Sequence, residues 1–375
     1  MNDLPKNIRW TLKSHPEGKA TLANFQREEV SVRPLGGYEV LVRTLYLSLD
    51  PYHRQLMDKP VDRFGVTGAE QAAVLAPIPL GDTLRGAGVG QVVRSTDPRF
   101  ARGDIVEGYL GYQTHSICKG KGDGTPTMIP LSTEAAAGGD GLTVVQKFDA
   151  GDAPLYMRLS ALGEQGLTGH IGLIEAGKPR PGETVFVSNA AGSVGQVVSQ
   201  VAKIMGCRVI GSAGPEHKLN YLREELALDG AVSYRDPEAG AKIDALCPNG
   251  IDVYVDLAGG AFSDLVFSRL KFRGRMAVVG TTADWWIDPD DPVNRSPRPW
   301  WSINLKQIRV EGFVLWDYVH LYDTYIRQLR NWWSEGKLKS REHMYEGIDA
   351  APQGLLELVE GRNFGKAIVR VSEPE

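Results

Sequence analysis

The chain has 375 residues, 42% of them hydrophobic and 23% charged, which is long enough for two domains with sizeable cores. A net charge of −4 excludes a general attraction to nucleic acid or anionic membrane and leaves small molecules and a second copy as the expected partners. Three widely spaced cysteines, Cys118, Cys207 and Cys247, exclude a disulfide framework or a cysteine-rich zinc lobe and fit a reducing cytoplasm.

The N-terminus, Met1-Asn2-Asp3-Leu4-Pro5-Lys6-Asn7, opens without the apolar run of a secretory signal, and no stretch approaches the length of a membrane span. The expected location is cytoplasmic. Residues 1–155 are rich in β-branched and turn residues, with strands predicted over 38–49, 88–94 and 104–109. From about Leu162 the texture changes. Residues 163–176 read as a helix, Pro181-Gly182-Glu183 as a turn, and strands over 184–188, 207–212, 230–233, 253–256, 275–279 and 309–314 alternate with helices. That alternation predicts an α/β fold with a doubly wound parallel sheet. An aromatic-rich helix over 320–336, a short helix over 351–360 and a strand over 367–371 follow, the last returning to the first domain. The expected domains are therefore 1–155, 156–322 and a C-terminal segment 323–375 completing the first. The irregular stretch 281–304 is long enough to suggest a functional or interface role.

The run Val185-Phe186-Val187-Ser188-Asn189-Ala190-Ala191-Gly192-Ser193-Val194-Gly195, continuing into residues 196–205, reads as strand, tight turn and helix. A helix N-terminus offers unpaired backbone N–H groups and a positive partial charge, so a pyrophosphate can sit there if no side chain obstructs it. Gly192 and Gly195 fill the second and third glycine positions of G-x-G-x-x-G, and Ala190 replaces the first. Ala191, Gly192, Ser193, Val194 and Gly195 are thus candidate phosphate contacts. At the tip of the next strand, where an NAD-specific fold places Asp or Glu, the chain has Gly211-Ser212-Ala213-Gly214. With no carboxylate to repel a 2′-phosphate, and Ser212, Lys218, Tyr234 and Arg235 to bind one, NADP(H) is the expected cofactor.

Leu47-Ser48-Leu49-Asp50-Pro51-Tyr52-x-Arg54, Gly166-Leu167-Thr168, the 190–195 turn, Gly259-Gly260 and Asn363-Phe364-Gly365-Lys366 together resemble the zinc-independent medium-chain dehydrogenases/reductases. The similarity is to the branch of prostaglandin reductases, alkenal double-bond reductases and curcumin reductase, and it spans nearly the whole chain. It implies a GroES-like β-barrel catalytic domain, a Rossmann domain, a cleft where they meet and a homodimer. It also implies NADPH-dependent reduction of a C=C bond conjugated to a carbonyl, with Thr168, Gly280, Phe313 and Asn363 as further cofactor contacts. Zinc-dependent members of the wider superfamily carry a cysteine on the loop where this chain has 47–52 and a histidine where it has Gly68-Ala69-Glu70. Neither ligand is present, and no metal is expected.

Without metal, an enolate formed by hydride addition to the β-carbon needs hydrogen-bond donors, and a proton must reach the α-carbon. Tyr52 matches the tyrosine of the Asp-Pro-Tyr motif and is the first candidate, with packing in the barrel wall as its other reading. The chain departs from its relatives at Thr168-Gly169-His170, at Phe313-Val314-Leu315-Trp316, where several of them have a tyrosine, and at Asp256-Leu257. His170 can donate or relay a proton and becomes the second catalytic candidate, whereas Trp316 offers only an N–H and is a candidate substrate contact. Trp285-Trp286 and Trp300-Trp301 form either an aromatic slot for a planar enone or a subunit interface. The resemblance ranks enone or enal reduction first. A zinc-independent NADP(H) ketone or alcohol oxidoreductase and an NADPH-binding quinone reductase or sensor remain as alternatives.

Overall fold

The computed structural model describes residues 4–59, 77–121, 143–149, 151–283 and 300–375. The chain divides into two compact units, Met1–Leu159 with Glu342–Glu375, and Ser160–Arg341.

In the first unit the strand Glu39–Ser48, buried along almost its whole length, organises the sheet. It pairs antiparallel with Gly88–Ser95, His115–Gly120 and Lys366–Arg370. Ile105–Gly108 and Thr143–Lys147 link Gly88–Ser95 back to His115–Gly120, closing five strands on themselves and removing their free edges. Val40, Val42, Val92, Phe100, Val106, Leu110, Cys118 and Val145 form one core. A second core, with Leu47, Leu49, Leu56, Met57, Tyr112 and Leu355, packs under Tyr52. The hairpin of Lys6–Leu12 with Phe25–Ser31 and the strand Glu342–Glu346 were not expected, because Phe-Gln-Arg-Glu-Glu-Val-Ser and Glu-His-Met-Tyr-Glu carry too few apolar residues to show a strand period.

The second unit is a six-stranded parallel sheet in the order Gly230–Ser233, Arg208–Ala213, Thr184–Val187, Ile251–Asp256, Leu270–Val278, Arg309–Gly312. Strand order reverses between Thr184–Val187 and Ile251–Asp256, the place where doubly wound sheets bind ligands. The helix Glu164–Ile171 continues into a wider turn, Gly172–Gly177.

Helix Tyr322–Ser334, expected in the C-terminal segment, belongs to this second unit. The reason is packing: His170 meets Tyr325 and Trp332 at ring-centroid distances of 4.5 and 5.0 Å. The loop that follows is also tied to helix Ser193–Ile204. Gln200 donates to the Lys339 carbonyl at 2.8 Å and accepts the Lys339 N–H at 2.7 Å, and Gln196 accepts the Arg341 N–H at 2.9 Å. Among the described residues no helix is long and apolar enough to cross a membrane.

Candidate active site and nucleotide site

The nucleotide turn is built from its strand outward. Thr184–Val187 delivers Ser188 and Asn189, the latter in the left-handed region at φ 47°, and helix Ser193–Ile204 starts at Gly192 with no side chain capping it. Ala190 N–H donates to the Ser212 carbonyl at 2.8 Å, tying the turn to the next strand. A Cβ on Gly195 would lie 2.2 Å from the Asn189 carbonyl oxygen, so only glycine lets the helix come this close to the strand end. The first turn therefore presents the backbone N–H groups of Ser193, Val194 and Gly195 without an intruding side chain, a cradle that fits a pyrophosphate. Thr168 is half-buried on the neighbouring helix, which at Gly169 comes so near that a Cβ would sit 3.0 Å from the Val194 carbonyl.

Ser212, Lys218, Tyr234 and Arg235 come together at the C-terminal ends of the adjacent strands Arg208–Ala213 and Gly230–Ser233. The Ser212 hydroxyl is buried with no hydrogen-bond partner among the described residues. Burial, and then the charge of Arg235, lower the pKa of Lys218. The Arg235 guanidinium lies 5.4 Å from the Tyr234 ring centroid, and the Tyr234 hydroxyl sits 2.9 Å from where a Cβ on Gly214 would be. The nearby acids are engaged elsewhere, Glu216 with Arg223 and Asp236 with Lys242. Two cations that repel each other beside an unsatisfied hydroxyl fit a phosphate dianion.

Asp256, the first residue of the Asp256-Leu257 pair at which the chain departs from its relatives, is a staple of the switch point. Its Oδ1 accepts from Ser188 Oγ and Tyr254 Oη at 2.9 Å and from the N–H groups of Ala258 and Gly259 at 3.0 and 3.1 Å, while Ser263 Oγ donates to Oδ2 at 2.6 Å. Gly280 N–H donates to the Asp256 carbonyl at 3.0 Å. Phe313 is buried, and Tyr318, which the sequence reading passed over, stacks on it at 5.2 Å. Trp316 is half-buried in the stretch Leu315–Leu321, whereas Trp300 and Trp301 are 66% and 72% exposed. Trp285 and Trp286, like Gly68, Ala69 and Glu70, lie outside the described residues.

In the barrel unit, Asp50 ends the extended segment after Glu39–Ser48 and Pro51 opens the short helix Pro51–Gln55, which carries Tyr52. Lys366 anchors the turn: its ammonium, 2% exposed, donates to Asp50 Oδ1 at 2.5 Å and to the Leu49 carbonyl at 2.9 Å, and Ser48 Oγ donates to Asp50 Oδ2. Burial pushes the Asp50 carboxyl up, but Lys366, His53 and the Ser48 hydroxyl outweigh it and hold the pKa below its ordinary value. Two distant motifs of the resemblance, Asp-Pro-Tyr and Asn-Phe-Gly-Lys, thus meet in one buried ion pair. Asn363 closes its own turn, donating to the Gly365 carbonyl at 2.8 Å. His53 packs edge-on against Tyr52 at 4.5 Å and accepts from Tyr112 Oη at 3.1 Å, and burial drives its pKa to about 4. Tyr52 is half-buried, with its hydroxyl 3.3 Å from that of Tyr109.

His170 is placed differently from its expected role. It is 2% exposed, its Nδ1 has no hydrogen-bond partner among the described residues, and burial lowers its pKa to about 4. The ring is clamped between Tyr325 and Trp332, joining two helices, and burial disfavours its charged form. Lys366, Tyr109 and Tyr318 are the residues that sequence reasoning missed. Lys366 stood in a quoted motif without a role, whereas Tyr109 is 57 residues from its partner and carries no local signal.

Residues 8–124 match the model of the N-terminal domain of oxidoreductase, and residues 193–331 match that of zinc-binding dehydrogenase. The chain is 33% identical to the NADPH-dependent curcumin reductase of Escherichia coli (strain K12), over 98% of this chain and 97% of the relative. It is 34% identical to 2-alkenal reductase (NADP(+)-dependent) of Nicotiana tabacum, over 98% of each. Prostaglandin reductase 1 of Mus musculus is 35% identical over 96% of this chain and 98% of its own. The crystal structure of CurA from Vibrio vulnificus in complex with NADPH superposes with a TM-score of 0.82 at 28% identity, covering 98% of this chain and 100% of that one. With Asp50, Lys366 and the uncapped glycine turn in place, the chain belongs to the medium-chain dehydrogenase/reductase family, in the branch that contains these curcumin, alkenal and prostaglandin reductases.

Proposed function

We propose that this protein is a cytoplasmic NADPH-dependent oxidoreductase that saturates the C=C bond of an α,β-unsaturated carbonyl, bulky or aromatic, without a metal. The observation that carries the reading is the full-length kinship to three NADPH-dependent reductases in a chain whose nucleotide unit offers Ser212, Lys218, Tyr234 and Arg235 to a 2′-phosphate. The 191–195 turn takes the pyrophosphate, and Thr168, Gly280, Phe313 and Asn363 complete the cofactor contacts. When bound, the cofactor supplies a hydride to the β-carbon. Tyr52 then donates to the carbonyl oxygen as it gains charge, and water protonates the α-carbon. The burial of His170, which disfavours its charged form, supports leaving it out of the proton path. Trp316 contacts the substrate through its apolar ring face.

The metal-free reading is supported by the absence of cysteine at 47–52 and by the separate burial of Cys118, Cys207 and Cys247, whose thiols burial pushes up, the latter two to about 11. Thiols held in the protonated form are poor metal ligands. A homodimer is supported by the strand Arg309–Gly312, which pairs on one side only among the described residues and carries exposed Val310, with exposed Trp300, Trp301 and Leu305 in the helix before it. Twofold pairing about Val310 sets Arg309 of one copy opposite Glu311 of the other. Light scattering that returned the mass of a single chain would contradict this.

The function is tested by product analysis of the purified protein with NADPH and curcumin, a 2-alkenal, simple ketones and quinones. A saturated C=C bond with the carbonyl intact is expected. A carbinol would replace the reading with ketone reduction, quinol formation with quinone reduction, and NADPH binding without turnover with a sensor.

A further inference from the structure

Asn189 stands at the corner where strand Thr184–Val187 gives way to helix Ser193–Ile204, and the backbone is held on both sides of it. Its carbonyl accepts the Gly192 N–H at 2.9 Å, and the next residue, Ala190, donates to the Ser212 carbonyl at 2.8 Å. The corner needs a left-handed residue, φ 47° at this position, which glycine or asparagine supplies at little cost. Glycine would meet that need with no side chain, so the turn itself does not call for the amide. The Asn189 side chain is exposed and forms no hydrogen bond among the described residues. It lies across Gly192, where a Cβ would be 2.7 Å from Nδ2 and 3.0 Å from both Cγ and Oδ1. Gly192 is the second glycine of the motif, the one whose bare Cα lets the backbone come close to a pyrophosphate. Nδ2, with two N–H donors, is the amide atom nearest that point of approach.

We propose that Asn189 is a further cofactor-binding residue, whose Nδ2 donates to a pyrophosphate oxygen seated on the first turn of helix Ser193–Ile204. The amide adds a side-chain donor to the backbone donors of that turn. Its main chain is already fixed by the bonds to Gly192 and Ser212, so little backbone freedom is left to lose on binding. The pyrophosphate is common to NADPH and NADH. Asn189 therefore strengthens the hold on either without favouring one, and the choice between them is left to Lys218 and its neighbours.

The inference rests on the 191–195 turn taking the pyrophosphate, and two sets of variants separate the claims. Dissociation constants are measured without substrate, by fluorescence titration for NADPH and NADH and by competition with NADPH for ADP-ribose, which keeps the pyrophosphate and lacks the nicotinamide and the 2′-phosphate. Asn189→Gly keeps the left-handed corner and removes the amide, and should weaken all three ligands by a common factor of about 10. Asn189→Asp keeps the shape but sets a carboxylate against the pyrophosphate, and should weaken them by about 100-fold or more. Without ligand both variants should melt within about 2 °C of wild type, because Asn, Asp and Gly all accept the φ of the corner. Wild-type binding by Asn189→Gly, a loss confined to NADPH, or an Asn189→Asp protein that binds as tightly as Asn189→Gly would overturn the inference. So would a larger fall in the unliganded Tm, which would make Asn189 a turn residue only. Gly192→Val, made in the Asn189→Gly chain so that no amide is left to collide with, tests the reading beneath. The added side chain should abolish binding of all three ligands, and undiminished binding would overturn the placement of the pyrophosphate on this turn.

Discussion

Burial, and then the nearby charge of Arg235, disfavour the protonated form of Lys218, and such proximity of two cations is tolerated where an anion is to be bound. Each charge-assisted hydrogen bond to a phosphate contributes about 1.5 to 3 kcal/mol. Lys218→Ala should therefore raise the KM for NADPH by about 10- to 100-fold and leave that for NADH nearly unchanged. Equal loss with both cofactors would take Lys218 out of the 2′-phosphate site. That Ser212, Lys218 and Tyr234 would lie together was legible in the sequence because they stand at or just beyond the ends of two adjacent strands. The burial of His170 was not legible because it depends on Gly169, which lets its helix settle against Ser193–Ile204, and on Tyr325 and Trp332, more than 150 residues away in sequence.

At the level of elements, the short helix bearing Tyr52 has only five residues and little stability of its own. The Asp50–Lys366 pair fixes where it starts. Breaking a buried pair leaves one charge uncompensated, at a cost of about 3 to 5 kcal/mol. Lys366→Met should lower unfolding stability by that amount in urea titrations, and adding Asp50→Asn should restore part of it. A loss under about 1 kcal/mol for the single variant would show the pair to be dispensable. The central parallel strands Thr184–Val187 and Ile251–Asp256 were readable because they are buried on both faces and rich in apolar residues. The Phe25–Ser31 and Glu342–Glu346 strands owe their form to their partners, which no local pattern reveals.

For the whole molecule, acid stability should follow the buried histidines. His53 and His170 titrate near 4 in the fold against about 6.5 when unfolded. Between those values the unfolded chain binds more protons, so the stabilisation is complete above about pH 6.5 and is lost as pH falls towards 4. The loss should be on the order of 3 kcal/mol per histidine, and His170→Gln should flatten the dependence of the urea midpoint on pH in that window. A pH-independent midpoint between 4 and 6.5 would contradict it. Chelators should leave Tm and activity unchanged, and metal analysis finding one zinc per chain would overturn the metal-free reading. The change of texture near residue 160 made the two-unit plan legible, but the second boundary, at Arg341, is set by the Gln196 and Gln200 side chains and was not.

The central claim is that hydride goes to carbon and not to the carbonyl. It is tested most directly by turning over a 2-alkenal with NADPH deuterated at its transferring carbon and locating the label by NMR. One deuterium on the β-carbon of a saturated aldehyde is the predicted result. Deuterium on a carbinol carbon, with the double bond intact, would contradict it.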